Sequence, residues 1–189
     1  MYSHKTAALV SMCLVGLAAP VSAQKYHEQG SLANVGAIAV VVQAIPADAE
    51  RDGLTRELLQ TLIEQQLQKN GIPLRSFVSS SSSSVPTPGY LSVKVTMFKA
   101  QALSRTIGFV YAYNLHVGFK QQVQLATNKA YITAETWTQN TLGIHPAPKL
   151  QELNKTVLDL VNQFSDDYLT VNPVAVVMWR ERRSQAEAR

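Results

Sequence analysis

The chain has 189 residues, 46% of them hydrophobic and 16% charged, with 17 Lys and Arg against 13 Asp and Glu and a formal net charge of +4. Apart from Arg180, Arg182 and Arg183 these charges are scattered, which argues against the clustered basic stripe of a nucleic-acid surface. A single cysteine, Cys13, excludes a disulfide framework.

The first 23 residues read as a secretory signal peptide. His4-Lys5 supply a basic start, Ala7 to Ala19 an apolar core, and Val21-Ser22-Ala23 a small-residue ending, so cleavage is expected after Ala23. That core falls short of the roughly 20 apolar residues that a membrane span needs. Cys13 lies inside the core, whereas a lipid-modified cysteine would stand at the cut. The mature chain is therefore expected to be cysteine-free, to carry no transmembrane span, and to be held together by its core. Residues 24–36 are polar and aperiodic and predict a loose arm.

"AIAVVVQAI" (37–45) is a continuous β-branched run, as in a strand covered on both faces. Leu54, Leu58, Leu59, Leu62, Ile63 and Leu67 then recur at helical spacing. Thr55 is placed as the N-cap, with Leu54 and Leu59 as its hydrophobic staple, and Asn70-Gly71 as the stop. "IPLRSFV" (72–78) reads as a second strand. If it runs parallel to the first, the crossover through the helix is right-handed.

Six serines and Pro-Thr-Pro-Gly follow. Neither flank could bury its apolar surface alone, so 79–89 is expected to be a flexible loop inside one domain spanning 37–173, not a linker between two. Beyond it, "YLSVKVTMFKA" and "FVYAYNLHVGFKQQVQL" alternate. Leu91, Val93, Val95 and Met97, then Phe109, Tyr111, Tyr113, Leu115, Val117, Phe119, Val123 and Leu125, take one face, with Gln121 the polar exception. Lys94, Asn114, His116 and Lys120 take the other. "AYITAETWTQN" (130–140) is a further strand.

A second helix carries Leu150, Leu153, Val157, Leu160, Val161, Phe164 and Tyr168 on one stripe and ends at Asn172-Pro173. In the tail, 174–189, the apolar run 174–179 is a candidate edge strand and the charged end is expected to be disordered. The expected fold is α+β, in the order β-α-β-β-β-β-α. It is a two-layer sandwich in which both amphipathic helices cover one face of a mixed, mostly antiparallel sheet.

No residue set names a reaction. His27, His116 and His145 lack metal-ligand spacing. No serine sits in G-x-S-x-G or S-x-x-K, and there is no phosphate loop, since Gly53 and Gly71 mark helix ends. Asp166-Asp167 reads as a solvated helix edge, and the glycosylation triplet at Asn154 falls inside a helix. The aromatic file of Tyr111, Tyr113, Phe119 and Trp137 either packs beneath the helices or lines a groove, and the two apolar helix stripes favour packing. The sequence thus gives no catalytic, cofactor-binding or metal residue and no cofactor.

The segments "GLTRELLQTLIEQQLQKNGIPL", "YAYNLHVGFKQQVQL" and "FSDDYLTVNP" resemble a group of small exported bacterial proteins across roughly Ala37 to Pro173. The strand and helix order is also similar to accessory lipoproteins of the Gram-negative envelope, such as the lipopolysaccharide-assembly lipoprotein and auxiliary lipoproteins of lipid transport. This resemblance implies a non-enzymatic periplasmic or secreted domain that binds an envelope protein or an amphipathic ligand. The contact surface expected is an edge strand or the polar face around His116 and Lys120. The alternatives are a structural subunit of an envelope assembly, or a hydrolase whose His116 or His145 meets a carboxylate such as Glu135.

Overall fold

In a computed structural model that describes residues 21–77, 89–101 and 109–173, the elements run in the expected order, with a short helix where 46–53 reads as a loop and three larger differences. Helix α1 spans Val21–Gly30, strand β1 Ala39–Val42, the short α2 Ala47–Arg51 and α3 Arg56–Lys69. Strands β2 (Tyr90–Gln101), β3 (Phe109–Gln124) and β4 (Tyr131–Pro146) follow, then a 3-10 turn Ala147–Glu152 and α4, Leu153–Val171. The fold is α+β: a four-stranded sheet in the order β1-β2-β3-β4, with β1 parallel to β2 and the remaining pairs antiparallel. Strand β1, ahead of α2 and α3, and β2, after the serine run, are thus neighbours in one sheet. The run itself (79–88), most of the leader and the tail from 174 lie outside the described residues.

The first helix forms with its expected cap and stop, but Leu58 of the predicted stripe is 40% exposed. Thr55 Oγ1 accepts from Leu58 N at 3.3 Å, and Leu54, Leu59, Ile63 and Leu67 are buried. Gly71, at φ 86°, closes α3: its N–H bonds Gln68 O at 3.0 Å and Ile72 N–H bonds Leu67 O at 2.9 Å. That paired return needs a left-handed residue, which glycine adopts without a Cβ penalty. Gly53 closes α2 in the same way.

The expected second strand is the first difference. Among the described residues of "IPLRSFV" only Leu74 pairs, through one parallel bridge to Ile38. Main-chain bonds Ile38 N to Pro73 O and Arg75 N to Ile38 O tie this segment to the start of β1. Further along, the Gln60 side chain takes the place of a neighbouring strand. Its Oε1 accepts from Val42 N at 3.1 Å and its Nε2 donates to Val40 O at 2.9 Å. The outer edge of β1 is thus closed by α3 and by residues 73–75.

The second difference is the arm. Residues 24–36, read as loose, begin in α1 and turn at Ser31–Asn34 to dock, with Leu32 fully buried. Asn172 Nδ2 donates to Leu32 O at 2.7 Å, Tyr168 OH to Val35 O at 2.8 Å, and Gln121 Nε2 to Ser31 O at 2.9 Å. Gln121, the polar interruption in an apolar file, is the anchor of this turn. The third difference is β4, which continues six residues past the predicted end at Asn140. Its alternation reverses there: Trp137 points to the core, whereas Leu142 and Ile144 point to solvent.

The core lies between the sheet and α3 with α4. Every residue of the predicted α4 stripe is buried, and Phe164 packs on Phe119, Trp137 and Tyr168 with ring centroids 5.7, 5.1 and 6.0 Å away. Tyr111, Phe119 and Trp137 are buried and Tyr113 packs against the same cluster, so the aromatic file is core and not a groove. Where the helices meet, Asn162 Oδ1 accepts from Gln66 and Asn70, and Asn70 also reaches Ser165.

Asp167 departs from its reading as a solvated edge. Asp166 is exposed, but Asp167 turns inward to accept from Trp137 Nε1 at 2.9 Å and Gln29 Nε2 at 3.2 Å. Among the described residues no helix is long and apolar enough to cross a membrane.

Candidate functional site

Both long helices use the same side of the sheet, so the opposite face is left to the strands' own side chains. Register sets that face in rows across β2, β3 and β4. At one end lie Tyr90, Lys120 and Glu135, then Ser92, Gly118 and Thr138, then Lys94, His116 and Asn140. Thr96, Asn114 and Leu142 follow, and after them Phe98, Ala112 and Ile144. One half of the face is polar and the other apolar. Phe98, Leu142 and Ile144 are 70%, 77% and 73% exposed, unusual for side chains of their size in one cluster.

Gln43, Lys94, Thr96, Asn114, His116, Lys120 and Glu135 line an open depression of about 460 Å³ on the polar half. A bulge at Phe119/Lys120 shifts the register and brings Glu135 opposite Lys120. The Glu135 side chain lies over Gly118, where any Cβ would collide with its carboxylate. From there Oε1 accepts from His116 Nε2 at 3.0 Å and sits 3.9 Å from Lys120 Nζ. The other imidazole nitrogen, Nδ1, meets the Asn140 amide oxygen at 2.6 Å. Lys94 is exposed and has no ion pair among the described residues. In the floor, Asn114 Oδ1 is buried with no hydrogen-bond partner among the described residues, an unmet acceptor of the kind a ligand donor satisfies.

The contact of His116 with Glu135 is the one that a hydrolase would require, but its setting differs. Both ring nitrogens are engaged, so neither is free to take a proton from a nucleophile, and no hydroxyl among the described residues bonds to the ring. His145 lies elsewhere, its Nε2 3.6 Å from Glu152 and its Nδ1 3.1 Å from Pro146 O. His27 is in α1. No group of three or more His, Cys, Asp or Glu among the described residues could hold a metal ion. Sequence reasoning found Lys94, Asn114, His116 and Lys120 on this face. It missed Gln43, because 37–45 was read as a strand covered on both faces, and the apolar half, because Leu142 and Ile144 lay past the predicted end of β4.

A second titratable group sits under α2 on the helix side. Asp52 Oδ2 accepts from Lys99 Nζ at 2.5 Å and Tyr111 OH at 2.7 Å, while the ammonium lies 5.2 and 5.3 Å from the Phe109 and Tyr111 rings. The Lys99 hydrogen bond, then that of Tyr111, holds the Asp52 carboxyl below its ordinary value. A depressed folded pKa stabilises the fold above the unfolded pKa of about 3.9 and loses that contribution as pH falls through the folded value. Asp52→Asn is therefore expected to lower stability by about 1 kcal/mol at pH 7. The gap between variant and parent should close below pH of about 4 in urea melts run across pH. A gap of constant size would assign the cost to packing instead.

No protein-family model matches the chain, and no curated protein matches it by sequence. Among solved structures the chain is similar to a minor lipoprotein from Acinetobacter baumannii, with TM-score 0.30 and 11% identity over 77% of this chain and 95% of that one. It is also similar to the rare lipoprotein B from Shewanella oneidensis, with TM-score 0.24 and 14% identity over 75% of this chain and 98% of that one.

Proposed function

We propose that this chain is a non-enzymatic, exported accessory domain of the bacterial envelope, acting in the periplasm, that binds an amphipathic ligand with an anionic head on the helix-free face of its sheet. The observation that carries this reading is the division of that face. Lys94 and Lys120 offer positive charge at one end, and Phe98, Leu142 and Ile144 offer exposed apolar surface at the other. Lys94 and Phe98 are four residues apart on one strand, about 13 Å, which suits a head group joined to an alkyl chain. The engaged imidazole of His116 and the openness of the depression favour binding over hydrolysis.

Titration with a dodecyl phosphate, dodecyl maltoside and inorganic phosphate, each below its micelle concentration, tests the reading by calorimetry. The alkyl phosphate is expected to bind more tightly than either part alone and to weaken as salt rises. The double variant Lys94→Glu with Lys120→Glu should lower its affinity on the order of tenfold. Equal affinity for the phosphate and the maltoside, or a double variant that binds as the parent does, would remove the charged half from the argument.

A further inference from the structure

The two edges of the sheet are treated differently. Gln60 and residues 73–75 occupy the outer main-chain groups of β1. Along β4, Ser31 Oγ donates to Thr136 O at 3.0 Å, beside the bulge, and marks where cover ends. From Thr138 to Ile144 the outer N–H and C=O groups have no hydrogen-bond partner among the described residues. Natural edge strands are usually blunted by charge, proline or cover. Here residues 136–144, "TWTQNTLGI", contain no charged residue and no proline, and Pro146 ends the strand. Leu142 and Ile144, three-quarters exposed, stand along this edge.

We infer that the free edge of β4 pairs with the same edge of a second copy, antiparallel about a twofold axis near Thr141, to make one eight-stranded sheet. The charge pattern selects this occupant. An isologous contact sets each residue against its own kind, and strands bearing a charge here would oppose like charges. With 136–144 uncharged, self-pairing meets no such repulsion. With the axis at Thr141, Thr138 faces Ile144 of the other copy and Asn140 faces its Leu142. Leu142 then lies diagonally across the axis from Leu142 of the other copy, on one face of the joined sheet. That contact withdraws part of both Leu142 side chains from water. Ser31 at one end and Pro146 at the other limit the paired stretch to the uncharged segment.

Sedimentation equilibrium of the exported protein is expected to give a reversible monomer–dimer equilibrium. Leu142→Lys sets two ammonium groups near the axis at a side chain already in solvent, so the fold is retained. It should raise the dissociation constant at least tenfold with an unchanged circular dichroism spectrum. In a Cys13→Ser background, Thr141→Cys should give a disulfide-linked dimer on mild oxidation, whereas Thr133→Cys, before the bulge, should not. A protein monomeric up to about 1 mM overturns the inference, as does a dimer indifferent to Leu142→Lys or linked equally through Thr133→Cys. None of these measurements includes ligand, so they fail or succeed independently of the binding reading.

Discussion

Phe164→Ala is expected to lower the free energy of unfolding by about 3–5 kcal/mol, the largest loss from any single truncation in this core. The ring is fully buried and stands at the junction of both layers, stacked on Phe119 of β3, edge-on to Trp137 of β4 and tilted against Tyr168 one turn along α4. Truncation leaves a cavity walled by three other rings, which cannot close it without leaving their rotamers, so the cavity cost adds to the lost transfer energy. Aromatic pairing contributes beyond area as well. For a domain whose whole stability is about 5–15 kcal/mol, such a loss brings the variant near the limit of folding. A urea melt should shift its midpoint with little change in slope. Phe164→Leu, which keeps most of the volume, should recover most of the difference. A loss under about 1 kcal/mol in Phe164→Ala would mean that the rings repack freely.

The second large effect is assigned to Asp167. Its carboxylate accepts from the buried Trp137 indole and from Gln29 in α1. Asp167→Ala leaves the indole N–H inside the core with no acceptor, for an expected cost of about 2–3 kcal/mol. Asp167→Asn retains an oxygen for the indole and should cost less. Because Gln29 is also released, hydrogen exchange should show α1 opening in Asp167→Ala at denaturant concentrations that leave β2 and β3 protected. Should α1 amides exchange alike in parent and variant, the carboxylate holds only Trp137.

Much of this architecture can be read from periodicity alone. The α3 stripe with its Thr55 cap and Gly71 stop, and the α4 stripe from Leu150 to Tyr168, depend on residues within a turn of one another, where local geometry decides. The polar file of Lys94, Asn114, His116 and Lys120 was equally legible, since strand alternation assigns a face to each residue. The closeness of His116 to Glu135, named from the sequence only as what a hydrolase would require, was not fixed by strand phase. It arises from the bulge between Phe119 and Lys120, which no residue type there announces.

The elements that sequence reasoning placed differently share one cause. "IPLRSFV" has the composition of a strand, but the edge it would have occupied is filled largely by the Gln60 amide. Asp167 is charged and adjacent to a charged residue, yet a donor on a strand thirty positions earlier, Trp137, makes its burial favourable. Leu142 and Ile144 were passed over because their alternation is opposite in phase to that of Trp137. Within the α4 stripe each apolar residue is repeated on the same side, so pattern and burial agree; along β4 they part company. By itself the sequence determined the two long helices, where they stop, and which strand faces are wet. Only tertiary structure decided which edge is closed, which carboxylate is buried, and that an apolar patch stays in solvent beside a cationic one. Helix stripes, caps and strand phase are set by neighbours along the chain, whereas edge closure, burial of charge and exposure of apolar surface depend on partners that only folding brings near.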